Sequence, residues 1–518
     1  MDRRDFLSRA SSGLVAGLAA ASRPAVVGAA GAAETSRERE LVIAQPADLT
    51  SLDPHASTYS SDIRVALNVF DTLIRRHPDG RLHPALATAW QRTTPTTWQL
   101  TLRADVRWHD GTRFTSADAK YSLDRTYDPS VKAARLLGAW ARTIERTEAP
   151  DPTRLIVHTR RPDLLLPARL AFCAGAMVPW AYVDRVGFKA FNERPLGSGP
   201  LRFRSWTRGD RCVLEANADY WGGRVDVDRV EFRWVPDAER RVDLLLRGDV
   251  DLITALAPAL GRRVAADPAT RVQGVLYAGL YVLMVNVWVA PLNQPLVRQA
   301  LSLAIDRATL VKELWHGRGL VPNGPIPRGD AHHDAALPPL PYDPGAARER
   351  LRRAGYQGET IHFETTAGMI AGDRAMAEQI TEMWEDVGVR VALDVIDTEA
   401  RHLKNRQRAF KGLWWSDPTS ILRDPDGMMG RLLSPEQPHD YWRPDEFDRL
   451  AAATRVSPDE RGRGEAFRRM TAIFLEQNPW IAVLQPMEDY GLRRHVEFTP
   501  SPDQQIELRR FNFRMRRA

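Results

Sequence analysis

The sequence predicts a mixed α/β protein of about three domains. Three observations carry that reading. The chain has 518 residues, and domains run to roughly 100–200 residues each. Its composition, 43% hydrophobic and 27% charged, is that of a globular protein with cores to bury, which excludes disorder, collagen-like repeats and a disulfide scaffold. Short alternating apolar runs interleave with segments whose apolar residues recur every three or four positions, the periods of strand and helix.

The first residues predict export. Asp2-Arg3-Arg4-Asp5-Phe6-Leu7 precedes an apolar stretch from Ala10 to Ser22 and a small-residue run from Val27 to Ala33, the order of a secretory signal peptide over residues 1–33. Arg3-Arg4 followed by Phe6-Leu7 resembles a twin-arginine signal. The Arg pairs at 75–76, 262–263 and 352–353 have no such setting. The apolar stretch is too short and too rich in Gly, Ala and Ser to span a bilayer, and no Cys stands near the cleavage site to carry a lipid. The mature product is expected to be soluble and periplasmic. Removing residues 1–33 takes four arginines and two aspartates, so a net charge of +6 becomes +4. The remaining charges alternate in sign along the chain, which argues against a nucleic-acid partner. An oxidising compartment leaves both a Cys173–Cys212 disulfide and two buried thiols open.

In the mature chain, Leu41–Ala44 reads as a strand leading into Ser51-Leu52-Asp53-Pro54. Residues 63–76 have helical spacing, and His77–Gly80 is a turn by composition. Thr97–Leu102 alternates as a strand, and Val106–Thr115 reads as two short strands joined at Asp110-Gly111. A helix opens at Ser116 and runs to about Arg125. Strands follow at 154–158, 213–216 and 230–235, broken by a turn at Gly197–Pro200, and a helix runs from Asp237 to Arg247 and ends at Gly248. After a strand at Val282–Val285, residues 295–315 form an amphipathic helix with a second turn near Asp306. Helices at 344–354, 373–387 and 459–477 then alternate with strands at 389–396 and 480–484.

Motifs of catalysis are missing. There is no His-Glu-x-x-His, Gly-x-Ser-x-Gly or Walker-type loop, and no strand leads into Gly-x-Gly-x-x-Gly. Two cysteines cannot build a Cys₄ zinc or iron–sulfur site. His332-His333-Asp334 lies in a Pro/Gly-rich loop, where adjacent side chains do not converge on one ion unaided. No cofactor or metal is expected. The numerous acidic pairs give no positive support to a two-carboxylate hydrolase.

Ser51-Leu52-Asp53-Pro54, Pro84–Ala87 with Trp90, Trp98–Arg103, Trp108–Gly111 and Phe114–Asp118 occur in that order. They are followed by Leu196–Pro200, Phe203, Trp206, Asn217–Trp221, Gly248–Asp251, Val297–Ala300, Ala304–Arg307, Tyr342–Pro344 and Ala354–Tyr356. Each match is weak alone, but in this order, from about residue 41 to 490, the chain resembles the family 5 extracellular solute-binding proteins of ABC importers, the peptide/nickel group. The resemblance implies a two-lobed periplasmic-binding-protein clamp of the cluster C type, with an additional domain in the first lobe. Carried over, lobe I is discontinuous (34–70, 194–276 and 491–518), the extra domain is 71–193, and lobe II is 277–490. Trp90, Trp98 and Trp108 read as core anchors. The implied function is capture of peptides or a similar amine-bearing solute by hinge closure, then delivery to a membrane permease, by a monomer. The rivals are an oligosaccharide, opine or nickel chelate on the same fold, and a twin-arginine-exported enzyme.

By the same resemblance, Leu413–Asp417 matches the segment where peptide-binding members pair an Asp with the peptide ammonium. That role falls on Asp417, with Trp414, Trp415 and Ser416 lining the cleft. The family's usual Asp-Pro pair comes late here, at Asp424-Pro425, so Asp424 is a rival for the ammonium, with Arg423 beside it as a carboxylate partner. An ordinary capped turn is the alternative for these residues. Tyr59 and Ser60 match the place where the first domain touches peptide, and Tyr281 opens the last domain as a further ligand-facing candidate.

Overall fold

The computed structural model describes residues 39–516 apart from 58, 129–140, 142, 368–369, 430–432, 434–441 and 443. The export segment 1–33 lies outside the described residues. Residues from Arg39 onward form one compact unit. No helix among the described residues is long and apolar enough to cross a membrane.

Twenty strands, numbered in chain order, carry the fold among the described residues. β1 (Glu40–Gln45) is parallel to β10 (Arg229–Trp234), on which β9 (Arg211–Ala216) and then β8 (Leu201–Thr207) pair antiparallel. On its other side β1 meets β11 (Leu252–Ile253). Side chains of this sheet, with Phe70, Val183 and Phe191, fill one core. A second core lies under the antiparallel sheet of β4 (Ala87–Thr94), β5 (Thr97–Leu102), β6 (Ile144–Asp151) and β7 (Arg154–Thr159), in the order β4-β5-β7-β6. Trp98 and Trp108 are buried in it and Trp90 packs against it. Helix Trp180–Glu193, expected in the extra domain, sends Val183 and Phe191 into the first core instead. The short pairs β2 (Ile74–Arg76) with β3 (Leu82–Pro84), and β19 (Val496–Phe498) with β20 (Phe513–Met515), stand apart.

The largest core surrounds β13 (Tyr281–Val285), β15 (Ile361–Thr365), β16 (Val391–Val395) and β17 (Leu413–Ser416), ordered β16-β15-β17-β13. The helices Pro295–Leu303, Pro344–Arg353, Asp373–Asp386, Asp445–Val456 and Glu460–Gln477 contribute their apolar faces to it. Two chain segments join this lobe to the first. β18 (Trp480–Arg493) pairs with β13 and β14 (Gly319–Leu320) through its first half and with β12 (Thr270–Leu276) and β11 through its second. The other is the run from β12 into β13. In two-lobed proteins that close on a ligand, the hinge residues lie in such connecting segments.

Local chemistry explains most boundaries. Asp237 caps Ala238–Arg247 by accepting from Arg240 N, and Gly248 ends the helix at φ 81°. Asp306 caps Arg307–Glu313, which is why the 295–315 segment forms two helices. The helix expected over 63–76 is corrected to Ser60–Val69, with β2 following. Buried Asp71 is the cause: its Oδ1 accepts from Arg75 (2.7 Å), Tyr220 (2.8 Å) and Arg509 (3.0 Å), and its Oδ2 from Trp221 (2.8 Å). A buried carboxylate needs such partners, and collecting them outweighs helical spacing. Cys173 and Cys212 are free and buried, in different cores.

Candidate functional site

The two lobes meet where the crossing strands emerge. On the first-lobe side, Tyr59 stands at the N-cap of helix Ser60–Val69, 53% exposed, and Ser60 Oγ donates to Gln504 Oε1 at 3.0 Å. Gln504 passes the contact on, its Nε2 donating to Glu488 Oε2 on β18 at 3.0 Å, while Arg64 Nε donates to its carbonyl at 2.9 Å. Burial pushes the pKa of Glu488 upward, with Arg64 opposing.

On the far side, β17 lies between β15 and β13 and is covered on both faces. Trp414 and Trp415, expected to line the cleft, therefore have buried rings. Trp414 stacks on Phe410 at 4.2 Å and Trp415 tilts against Phe363 at 6.0 Å. The strand ends at half-buried Ser416, and exposed Asp417 follows it. Tyr277, from the crossing segment, donates to the Asp417 carbonyl at 3.1 Å. Tyr281 is buried against Trp315, and burial, then the charge of Asp417, raises its phenol pKa well above the ordinary value. It is a packing residue at the floor, within electrostatic reach of both Asp417 and Glu488.

Arg423 and Asp424 go elsewhere. Arg423 lies 3.2 Å from buried Asp330 and donates to the Gly329 carbonyl at 2.7 Å. Asp424 is buried, receives Arg463 Nη2 at 2.5 Å, and caps the short turn Pro425–Gly427 through Asp426 N. Its carboxylate serves the packing of lobe II. The nearby segment also clasps the two lobes. Arg76 Nη2 donates to Leu422 O at 3.1 Å, Arg169 reaches Asp426 at 3.5 Å, and Leu422 joins Ile63, Leu67, Leu165 and Phe172 in a small apolar cluster.

Arg401, which donates from Nη2 to the Trp415 carbonyl at 3.1 Å, and Glu488 and Gln504 are not singled out by the sequence. Arg401 lies in a strongly charged helical stretch, Thr398–Gln407, which reads as a solvated face. Gln504 sits in a tail without periodicity, and neither carries a local signal. His332 and His333 turn to different partners, Glu460 at 3.4 Å and the Ile326 carbonyl at 3.0 Å. Among the described residues no cluster of three or more His, Cys, Asp or Glu side chains could hold a metal.

A discontinuous first lobe, a second lobe and two crossing strands, with polar groups gathered at the seam, define a solute-binding clamp. Residues 81–440 match the family model of bacterial extracellular solute-binding proteins, family 5 (middle region), and the chain belongs to that family. It is similar to the glutathione-binding protein GsiB of Pectobacterium atrosepticum, 29% identical over 373 residues, 70% of each chain. Among solved structures, it resembles the periplasmic binding protein AgaA of A. tumefacien R10 in complex with agropinic acid (23% identity, TM-score 0.81, 92% of this chain and 99% of that one). It also resembles DppA of Helicobacter pylori in complex with the peptide STSA (22% identity, TM-score 0.82, 93% and 99%). These likenesses bear out the two-lobed fold and the solute-binding family.

Proposed function

We propose that the chain is the periplasmic receptor of an ABC importer, capturing peptides or a similar amine-bearing solute between its lobes and passing it to the membrane permease. One observation carries the reading: exposed Asp417 directly follows the buried strand β17 at the seam, with Tyr59 and Ser60 on the other lobe. A carboxylate held there meets an ammonium by charge-assisted hydrogen bonds, and closure strengthens them by excluding water. The name of the glutathione-binding relative and the peptide bound to DppA support a solute with an amine. An oligosaccharide draws no support from Trp414 and Trp415, which are buried and offer no stacking platform. An opine remains the second reading, favoured by the agropinic acid complex. Export by the twin-arginine route, with removal of residues 1–33, and action as a monomer complete the proposal.

Native mass spectrometry of protein from a periplasmic extract, followed by denaturation and identification of the released molecule, tests it. One equivalent of short peptide or another amine-bearing molecule is the expected result. Release of a sugar or a metal chelate overturns the solute assignment.

A further inference from the structure

A second group of polar side chains lies away from the seam. An open cavity of about 320 Å³ is lined by β12 on one side and by the β19–β20 pair on the other. Arg271 and Gln273, two apart on β12, present one face of that strand to it. Arg271 is about 20 Å along the chain from Tyr277, where the crossing to the second lobe begins. Glu497 and Arg514 reach the cavity from directly opposite positions on β19 and β20, and Arg510 from the loop between those strands. None of the lining residues belongs to the seam described above.

What marks the cavity is positive charge without an acidic partner. Elsewhere on this lobe surface arginines sit against carboxylates: Arg224 on Asp228, Arg229 on Glu40, Arg263 on Glu239. Among the described residues, Arg271, Arg510 and Arg514 have no carboxylate at ion-pair distance. Half-buried Arg271 is held by neutral groups, its Nη1 donating to Gln273 Oε1 at 2.5 Å and its Nη2 to the Val496 carbonyl at 2.8 Å. Arg510 Nε donates to the Arg224 carbonyl at 2.9 Å, and Arg514 is exposed. Glu497 is the only acid in the wall, and Arg516 already holds its carboxylate. Burial lowers the pKa of Arg271, Glu497 opposes the fall, and Arg494 and Arg516 add to it. An anion beside Arg271 relieves that repulsion.

We propose that this cavity is a second ligand site, which takes a phosphate group on Arg271, Arg510 and Arg514. The planar fork of a guanidinium matches two oxygens of a phosphate. A phosphate monoester brings a charge of about −1.5 to −2 at neutral pH and three acceptor oxygens, so one group engages more than one arginine. A carboxylate brings one charge and two oxygens. A soluble phosphate compound and the head group of an acidic phospholipid share the required chemistry. The proposal is independent of which solute the seam holds.

Isothermal titration of the full chain with pyrophosphate, at fixed salt, tests it. One equivalent is expected to bind, and malonate, which carries two carboxylates, should bind more weakly. Arg271→Gln should weaken pyrophosphate by about tenfold or more, as for one lost hydrogen bond between charged groups. The exposed pair Arg510→Gln and Arg514→Gln, made together, should do the same and serves where Arg271→Gln does not fold. Glu497→Gln should tighten binding about two- to fivefold, because it removes a like charge from the wall. Flotation with phosphatidylglycerol vesicles, against phosphatidylcholine vesicles, separates the two sources. Vesicle binding that the Arg510 and Arg514 changes abolish supports the site with a lipid head group, and pyrophosphate binding without vesicle binding supports it with a soluble compound. Binding of neither probe overturns the proposal, as does binding that all the arginine changes leave intact. Malonate binding as tightly as pyrophosphate overturns the phosphate assignment.

Discussion

Two Asp-Pro pairs lie seven residues apart, Asp417-Pro418 and Asp424-Pro425, and the fold uses them in opposite ways. Asp417 ends a strand buried on both faces and is exposed at the seam, beside the crossing strands. Asp424 is turned inward, with its carboxylate on Arg463 and a turn capped through Asp426 N. An Asp-Pro pair fixes backbone shape in both places. What decides the role is the environment of the carboxylate: the end of β17 leaves Asp417 exposed, and the lobe interior offers Asp424 a guanidinium.

The widest separation between the two should be in stability. The Asp424 and Arg463 side chains are only 7% and 5% exposed, so Asp424→Ala removes the buried partner of the guanidinium and leaves it only exposed Glu460, at 2.9 Å. Unfolding by urea should show a loss of about 3–5 kcal/mol. Adding Arg463→Met should recover much of that loss, because the buried charge that lost Asp424 then goes too. A loss under about 1 kcal/mol would show that the pair is not structural.

A smaller effect, visible in pH dependence, concerns Asp330 beside Arg423. Burial pushes its pKa up to about 6, with Asp424 adding to the rise and Arg423 at 3.2 Å opposing it. The unfolded chain releases this proton near pH 4, whereas the folded protein holds it to about pH 6. Between those values the folded state binds more protons, so this group's contribution to stability falls as pH rises and is level above about pH 6. Asp330→Asn has no proton to lose. The difference between the wild-type and variant stability curves should slope across that window by at most about 3 kcal/mol and be flat outside it. Parallel curves would show that Asp330 ionises in the folded state as it does in the unfolded chain.

The contrast also marks how far the sequence could be read. Caps, turns and core tryptophans were legible because their signals are local: Asp237 and Asp306 precede helical spacing, and Gly248 follows it. Ordered motifs over most of the chain made the family legible. The site was legible in part. Leu413-Trp414-Trp415 is a continuous apolar run, and such a run already points to a strand covered on both faces, so its rings belong to the core. Glu488 and Gln504 come to Ser60 only through contacts between distant segments; Ser60 and Gln504 are 444 positions apart. The helix expected to reach residue 76 failed for the same reason, since Asp71 collects partners as distant as Tyr220 and Arg509.

Asp417 should give the smallest change in stability and the clearest change in binding. Its side chain is exposed, and substitutions at such sites usually stay within about 0.5 kcal/mol. Asp417→Asn keeps the size and an acceptor oxygen but removes the charge, so the variant should melt with the wild type. Its affinity for an amine-bearing solute should fall about 10- to 150-fold, the range for one charge-assisted hydrogen bond. Titration of the released solute reads that loss directly. The paired measurement separates the two aspartates: Asp424→Ala should lose stability, and Asp417→Asn should lose affinity at constant stability. An Asp417→Asn protein that melts early and binds normally would reverse the assignment, making the exposed Asp-Pro pair the structural one.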